Sequence, residues 1–173
     1  INTVLPFGNT VAVVYVSPAE LLEVLEASTF CTPEAVGAFP QVAGLEFTVN
    51  TAAPYDQGAL YGDTTYYAPA SIGRVRIGAV NGKPLEEKAT YAVVTNDFLA
   101  AGGDTYYALS ASDAIVDTGT PMDEAVMDYI TTQLNGVVPA QTYGAPQGRI
   151  HIEDKVPMWY DNAVAAVNLA AQP

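Results

Sequence analysis

The chain has 173 residues, of which 6 are Lys or Arg and 19 are Asp or Glu, for a formal net charge of −13. Half of its residues are hydrophobic and only 14% are charged, so it is too apolar for a disordered chain and long enough for one real core. So acidic a chain with six basic residues is a poor partner for nucleic-acid polymers or anionic membranes.

No stretch approaches the ~18 apolar residues that a membrane span requires, and no apolar leader follows a charged start. The chain opens Ile1-Asn2-Thr3-Val4 without a methionine, and we expect an N-terminally truncated fragment of a longer protein. Cys31 is the only cysteine and His151 the only histidine. An internal disulfide is therefore excluded, and any Ser-His-Asp or Cys-His centre would have to use His151. That residue sits in Arg149-Ile150-His151-Ile152-Glu153, which alternates like a strand and makes it a surface histidine. The chain carries no HExxH, no GxSxG and no phosphate-cradling P-loop.

Along the chain, Thr10 to Val16 is β-branched and apolar and reads as a buried strand. Ser17-Pro18-Ala19-Glu20 forms a capping box with proline at the first helical position. The helix it opens should run from Pro18 to Ser28, with Leu21, Leu22, Val24 and Leu25 inward and Glu20, Glu23 and Glu26 toward solvent. Leu45 to Val49 alternates as the next strand. Residues 51–72 hold Tyr55, Tyr61, Tyr66 and Tyr67 among Gly, Ala, Pro, Asp and Thr without a period. We read them as a long loop whose rings either touch a partner or pin the loop itself.

A strand resumes at Arg74 to Val80, where Arg74 and Arg76 are placed for cross-strand pairing with carboxylates. Asn81-Gly82 is the strongest turn signal in the chain and implies antiparallel pairing. Thr90 to Thr95 reads as a buried strand running into Asn96-Asp97-Phe98-Leu99-Ala100-Ala101-Gly102-Gly103-Asp104. Thr120-Pro121-Met122-Asp123 looks like a capped helix start, with the helix reaching about Leu134 and Ala125, Val126, Tyr129 and Ile130 inward. A short strand from Arg149 to Ile152 closes a domain over 1–153. In the tail, 154–173, Met158, Trp159, Ala163, Val164 and Val167 outline a weak helical face, fitting an extra helix or a linker. Together these elements make an α+β fold, a mixed β-sheet with packed helices.

Three stretches carry functional information: Leu5-Pro6-Phe7-Gly8-Asn9, Gly37-Ala38-Phe39-Pro40-Gln41-Val42-Ala43-Gly44-Leu45, and Asn96 through Asp104. Phe7 lies in a loop before a strand and Phe98 in a loop after one. Aromatics dominate cores, so residue type alone favours burial of both rings, but loop-borne aromatics on a rigid scaffold also hold planar ligands. In order and spacing, the three stretches, with Tyr91 and Gly148-Arg149-Ile150, resemble the C-terminal domain of the 5′-nucleotidase family. That family includes UDP-sugar hydrolases and 2′,3′-cyclic-nucleotide 2′-phosphodiesterases.

The resemblance implies that Phe7 and Phe98 sandwich a nucleobase and that Asp104 binds ribose hydroxyls. A carboxylate suits that task, since it accepts two hydrogen bonds while a diol donates two. Asn9 matches a position that hydrogen-bonds the base in some members. The family often continues Gly-Gly-Asp-Gly-Tyr, whereas this chain has Thr105 before Tyr106, which should stiffen the turn. The implied partners are a nucleoside or nucleotide and an N-terminal catalytic domain of the same protein, with two divalent metal ions on that domain and none here. The resemblance further implies a secreted or cell-surface nucleotidase whose C-terminal domain rotates to carry the nucleotide to the metals. The alternative is a non-catalytic interaction module of a large cell-surface protein, using the tyrosine-rich segment as its contact surface.

Overall fold

A computed structural model describes residue 1 and residues 3–154. The helix or linker expected over 155–173 lies outside the described residues. Among the described residues, two three-stranded sheets, a small hairpin and short helices make up the fold, with the helix α1 (Pro18–Ser28) packed against the core.

Strand β1 (Thr10–Val16) is the centre of the first sheet, in the order β6-β1-β7, and pairs antiparallel with both β6 (Tyr91–Asn96) and β7 (Ile115–Pro121). Its alternation puts Ala12, Val14 and Val16 wholly inside and Tyr15 on the outer face. The second sheet has the order β5-β2-β8. There β2 (Leu45–Asn50) runs antiparallel to β5 (Val75–Val80) and parallel to β8 (Ile150–Glu153), so the mixed sheet expected from the sequence is present. Helix α1 (Pro18–Ser28) begins with the full capping box: the Ser17 side chain accepts from the Glu20 N–H, and the Glu20 carboxylate accepts from the Ser17 N–H. Leu21, Val24 and Leu25 of α1 meet Val14 and Val16 of the first sheet and Phe47, Val49 and Val75 of the second in one core.

The Asn81-Gly82 turn is present, with both residues at positive φ and paired Val80–Lys83 backbone hydrogen bonds on either side. His151 is exposed on β8, as expected.

Several local expectations are corrected. Glu26 does not face solvent; it is 0% exposed. Its carboxylate accepts the backbone N–H groups of Gly73, Arg74 and Val75. Arg74 does not reach a carboxylate across the sheet. It is buried, and its guanidinium donates to the carbonyls of Thr29, Phe30 and Thr32 just past the end of α1.

Residues 51–72 are not one structureless loop. They contain the antiparallel hairpin of β3 (Gln57–Leu60) and β4 (Tyr67–Pro69). Its rings replace the missing apolar period: Phe30 meets Tyr55 and Tyr66 edge-on, and buried Tyr61 stacks on Tyr107 at 4.8 Å and donates to Glu23. Strand β6 is half-buried, not buried, because it lies at a sheet edge with one face on the core; Val94 is 68% exposed.

After the short helices α2 (Asp97–Ala100) and α3 (Tyr107–Ser110), the late helix is α4 (Met122–Asp128), continued by a π-helical turn over Tyr129–Gln133. Thr120 does not cap it. Its N–H bonds to the Thr118 hydroxyl, and β7 continues to Pro121, opposite Thr10, past a register shift between Thr10 and Ala12. Of the four residues expected inward, Ala125 and Ile130 are half-buried and Val126 and Tyr129 are exposed.

Candidate functional site

The segment preceding β1 and the segment following β6 meet because β1 and β6 are antiparallel neighbours, with Val11 opposite Asn96. This register brings Asn9 and Asp97 together at one end of the first sheet. Before β1, Gly8 turns the chain at a φ of +63°, open to glycine but strained for other residues. The turn leaves Phe7 86% exposed, with no core to fill. Phe7, Asn9, Asn96, Met122 and Asp123 line part of a cleft of about 80 Å³.

After β6, the Asn96 side chain accepts from the Leu99 N–H and so caps the short helix α2 (Asp97–Ala100). Phe98 stands in the first turn of α2 and is 48% exposed. Its ring lies over Gly103: a Cβ on that glycine would come 2.5 Å from the ring. One face of Phe98 is therefore backed by main chain. The helix closes through Gly102 and Gly103, whose N–H groups donate to the carbonyls of Leu99 and Phe98.

Asp104 follows at a φ of +51°, a left-handed conformation that Asp tolerates better than most residues. Backbone groups make the turn's hydrogen bonds, and among the described residues no donor meets the Asp104 carboxylate. Thr105 is 2% exposed, and its hydroxyl has no partner among the described residues. The left-handed residue of the turn is Asp104 and not Thr105, so the glycine frequent at the latter position is not required by the backbone here. Tyr106 is buried, and its hydroxyl donates to the Ala38 carbonyl. Burial pushes its phenol up to about 12. The second sequence stretch thus anchors the Asp104 turn from beneath. It also seats the Asn81 turn, whose N–H donates to the Gly44 carbonyl at 2.7 Å.

Sequence reasoning missed Asp97. Its Oδ1 accepts the Asn9 side-chain amide at 2.8 Å, the Thr10 N–H at 3.2 Å and the Phe98 N–H at 2.9 Å. One carboxylate oxygen thereby joins the Phe7 segment to the Phe98 helix. In sequence, Asn96-Asp97-Phe98 reads as a loop after a strand, where the structure has the short helix α2, and the donors that reveal the junction lie 87 and 88 residues away. The structure thus links Asn9 to Phe98 through Asp97, and Phe98 to the Asp104 turn through Gly103.

A larger cavity, about 210 Å³, lies under the β3–β4 hairpin among Phe30, Tyr55, Gln57, Tyr66, Tyr67 and Thr105. Among the described residues, no three His, Cys, Asp or Glu side chains are grouped to hold a metal ion. The two metals that the family resemblance implies do not fit these residues. None of the described helices is long and apolar enough to cross a membrane.

Comparison with known proteins gives the family of the chain. The family described as 5′-nucleotidase, C-terminal domain, matches residues 1–111. The trifunctional nucleotide phosphoesterase protein YfkN of Bacillus subtilis is 32% identical over 139 residues, covering 79% of this chain and 8% of its own length. Cell wall protein Lmo0130 of Listeria monocytogenes is 31% identical over 145 residues, covering 83% of this chain and 16% of its own. The crystal structure of a 5′-nucleotidase precursor from Thermus thermophilus superposes with a TM-score of 0.68 at 32% identity, over 90% of this chain and 27% of that one. The chain therefore spans a small part of each relative. From the extent of the family match, the chain belongs to the family of 5′-nucleotidase C-terminal domains.

Proposed function

We propose that this domain recognises the nucleoside part of a nucleotide for a 5′-nucleotidase-like phosphohydrolase. Phe7 and Phe98 stack on the base and the Asp104 carboxylate accepts from ribose hydroxyls. The observation that carries the proposal is the exposure of both rings, 86% and 48%, on segments held together by Asp97. Exposed aromatic faces beside a carboxylate free of protein donors suit a base and a diol. The same exposure favours this reading over an interaction module in which both rings fill the core.

Asn9 contributes through its amide oxygen, since its amide nitrogen already donates to Asp97. The hydrolytic chemistry belongs, on this reading, to a separate domain of the same protein that carries two divalent metals, and the protein works at the cell surface or outside the cell. The phosphate is left to that other part, because this surface is acidic and gives a phosphate no electrostatic attraction.

Isothermal titration of the chain with adenosine and with AMP tests the proposal. Phe98→Ala should weaken adenosine binding by about 5- to 150-fold, the equivalent of ~1–3 kcal/mol for one base–aromatic stack. Equal affinity of the variant and the parent would rule out the stacking role.

A further inference from the structure

We infer that Asp97 is the positioning residue that holds the two aromatic halves of this site as one preorganised unit before any ligand arrives. The inference rests on the nucleoside reading for its consequence in binding, but its structural content stands apart from it.

The three donors on Asp97 Oδ1 come from different places. The Asn9 amide belongs to the segment carrying Phe7, the Thr10 N–H is the first of β1, and the Phe98 N–H belongs to the helix carrying the second ring. A carboxylate can only accept, so it also fixes which end of the Asn9 amide points at it. Asn9 is tied on its other side as well, because its carbonyl accepts the Met122 N–H at 2.8 Å.

Phe7 has no such support of its own. It is exposed and borders Gly8, which has no Cβ to restrict its own backbone. The nearest fixed point along the chain is Asn9, and Asn9 is fixed through Asp97 and Met122. Without the carboxylate, a ligand would have to order the Phe7 segment on binding, and that ordering weakens affinity. Asp97 itself needs no contact with the ligand.

Two readouts on the 173-residue chain test this. In ¹⁵N NMR, the parent should show ordered Gly8 and Asn9 amides and a slowly exchanging Asn9 side-chain amide. Asp97→Ala should lower the heteronuclear NOE of Gly8 and Asn9 and release that side-chain amide. Unchanged values in a folded variant would overturn the inference, whether or not the chain binds a nucleoside.

In titration with adenosine, Asp97→Ala should weaken binding about tenfold, on the scale of one charge-assisted hydrogen bond. Asp97→Asn, which keeps an oxygen for the two backbone donors, should recover most of that loss. Because Asp97 acts through Phe7, the loss should shrink at least about threefold in a Phe7→Ala background, whereas additive losses would overturn it. If Asp97→Ala fails to fold, Asn9→Ala removes the side-chain strut alone and should lower the Gly8 NOE in the same way. A parent that binds no adenosine while its Gly8 and Asn9 amides depend on Asp97 would sink the nucleoside reading and leave this one standing.

Discussion

Gly103 has no side chain, and the ring of Phe98 occupies the volume one would fill. The φ of Gly103 is not in the left-handed region, so the backbone itself would accept alanine there. The obstacle is the ring, 2.5 Å from the site of the Cβ. Because Phe98 is half-exposed, it can swing into solvent and leave the fold intact. Gly103→Ala should therefore melt within a few degrees of the parent and yet lose adenosine affinity by at least about fivefold, approaching the Phe98→Ala value. A variant that binds like the parent would show that the ring's resting place on Gly103 is immaterial. The family resemblance of the three motif stretches singled out Phe7, Phe98 and Asp104; residue type alone favoured burial of both rings, which are instead exposed. It did not reveal Asp97, whose partners are backbone and amide donors that carry no sequence signature.

At the scale of elements, the joint between α1 and β5 carries the largest concentration of buried polar groups. Thr29 and Phe30 pair the last carbonyls of α1, which leaves their own carbonyls to find donors elsewhere. The Arg74 guanidinium supplies donors to the Thr29 and Phe30 carbonyls at 2.8 Å each. In return, the Glu26 carboxylate gathers three consecutive N–H groups at the entry to β5. Burial holds the Glu26 carboxyl above the usual carboxylate range, against the pull of those N–H groups and of Arg74.

Removing one partner strands the other. Arg74→Met leaves the Thr29, Phe30 and Thr32 carbonyls without their donor and should cost roughly 1–3 kcal/mol in urea denaturation, the range for stranding buried polar groups. Pairing it with Glu26→Gln should cost less than the sum of the two single changes; strict additivity would mean that the two groups do not depend on each other. The spacing of Glu20, Glu23 and Glu26 reads as a solvent-facing stripe, and for Glu26 that reading fails because Arg74 arrives from 48 residues away. The β3–β4 hairpin was illegible for a related reason. Its strands are short, and its order comes from Phe30 and Tyr107, outside the segment. The α1 boundaries and the Asn81-Gly82 turn, by contrast, are set by neighbours in sequence and were legible to the residue.

For the molecule as a whole, buried tyrosines set how the fold responds to alkali. Burial pushes Tyr55 and Tyr106 up to about 12, from 10.0, and Tyr61 higher still through burial and its bond to Glu23. Between pH 10 and about 12 the native state keeps protons that the unfolded chain has lost. Stability is therefore full below pH 10 and falls as pH rises through that window, by up to ~1.4 kcal/mol per pH unit for a tyrosine as buried as Tyr106. Denaturation midpoints measured from about pH 9 to 11.5 should drop across this range, with Tyr106→Phe flattening the decline. A flat parent curve would mean that the phenols titrate freely in the fold.

The overall architecture was legible as a mixed sheet with helices because strand periods and turn signals are local. Its division into two three-stranded sheets was not, since strand order depends on pairings across the chain.

The parallel pairing of β8 with β2 sets an order of events during synthesis. The Phe47 N–H waits for the Arg149 carbonyl, and the Thr51 N–H for that of Glu153. Every residue of the candidate site, by contrast, has been synthesised once Asp123 has been added. Until residues 150–153 follow, β2 presents a row of unpaired backbone groups as an open sheet edge. A nascent chain at that stage already contains every residue of the aromatic pair, the Asp97 junction and the Asp104 turn. It also carries a strand edge able to pair with a neighbouring chain before β8 arrives.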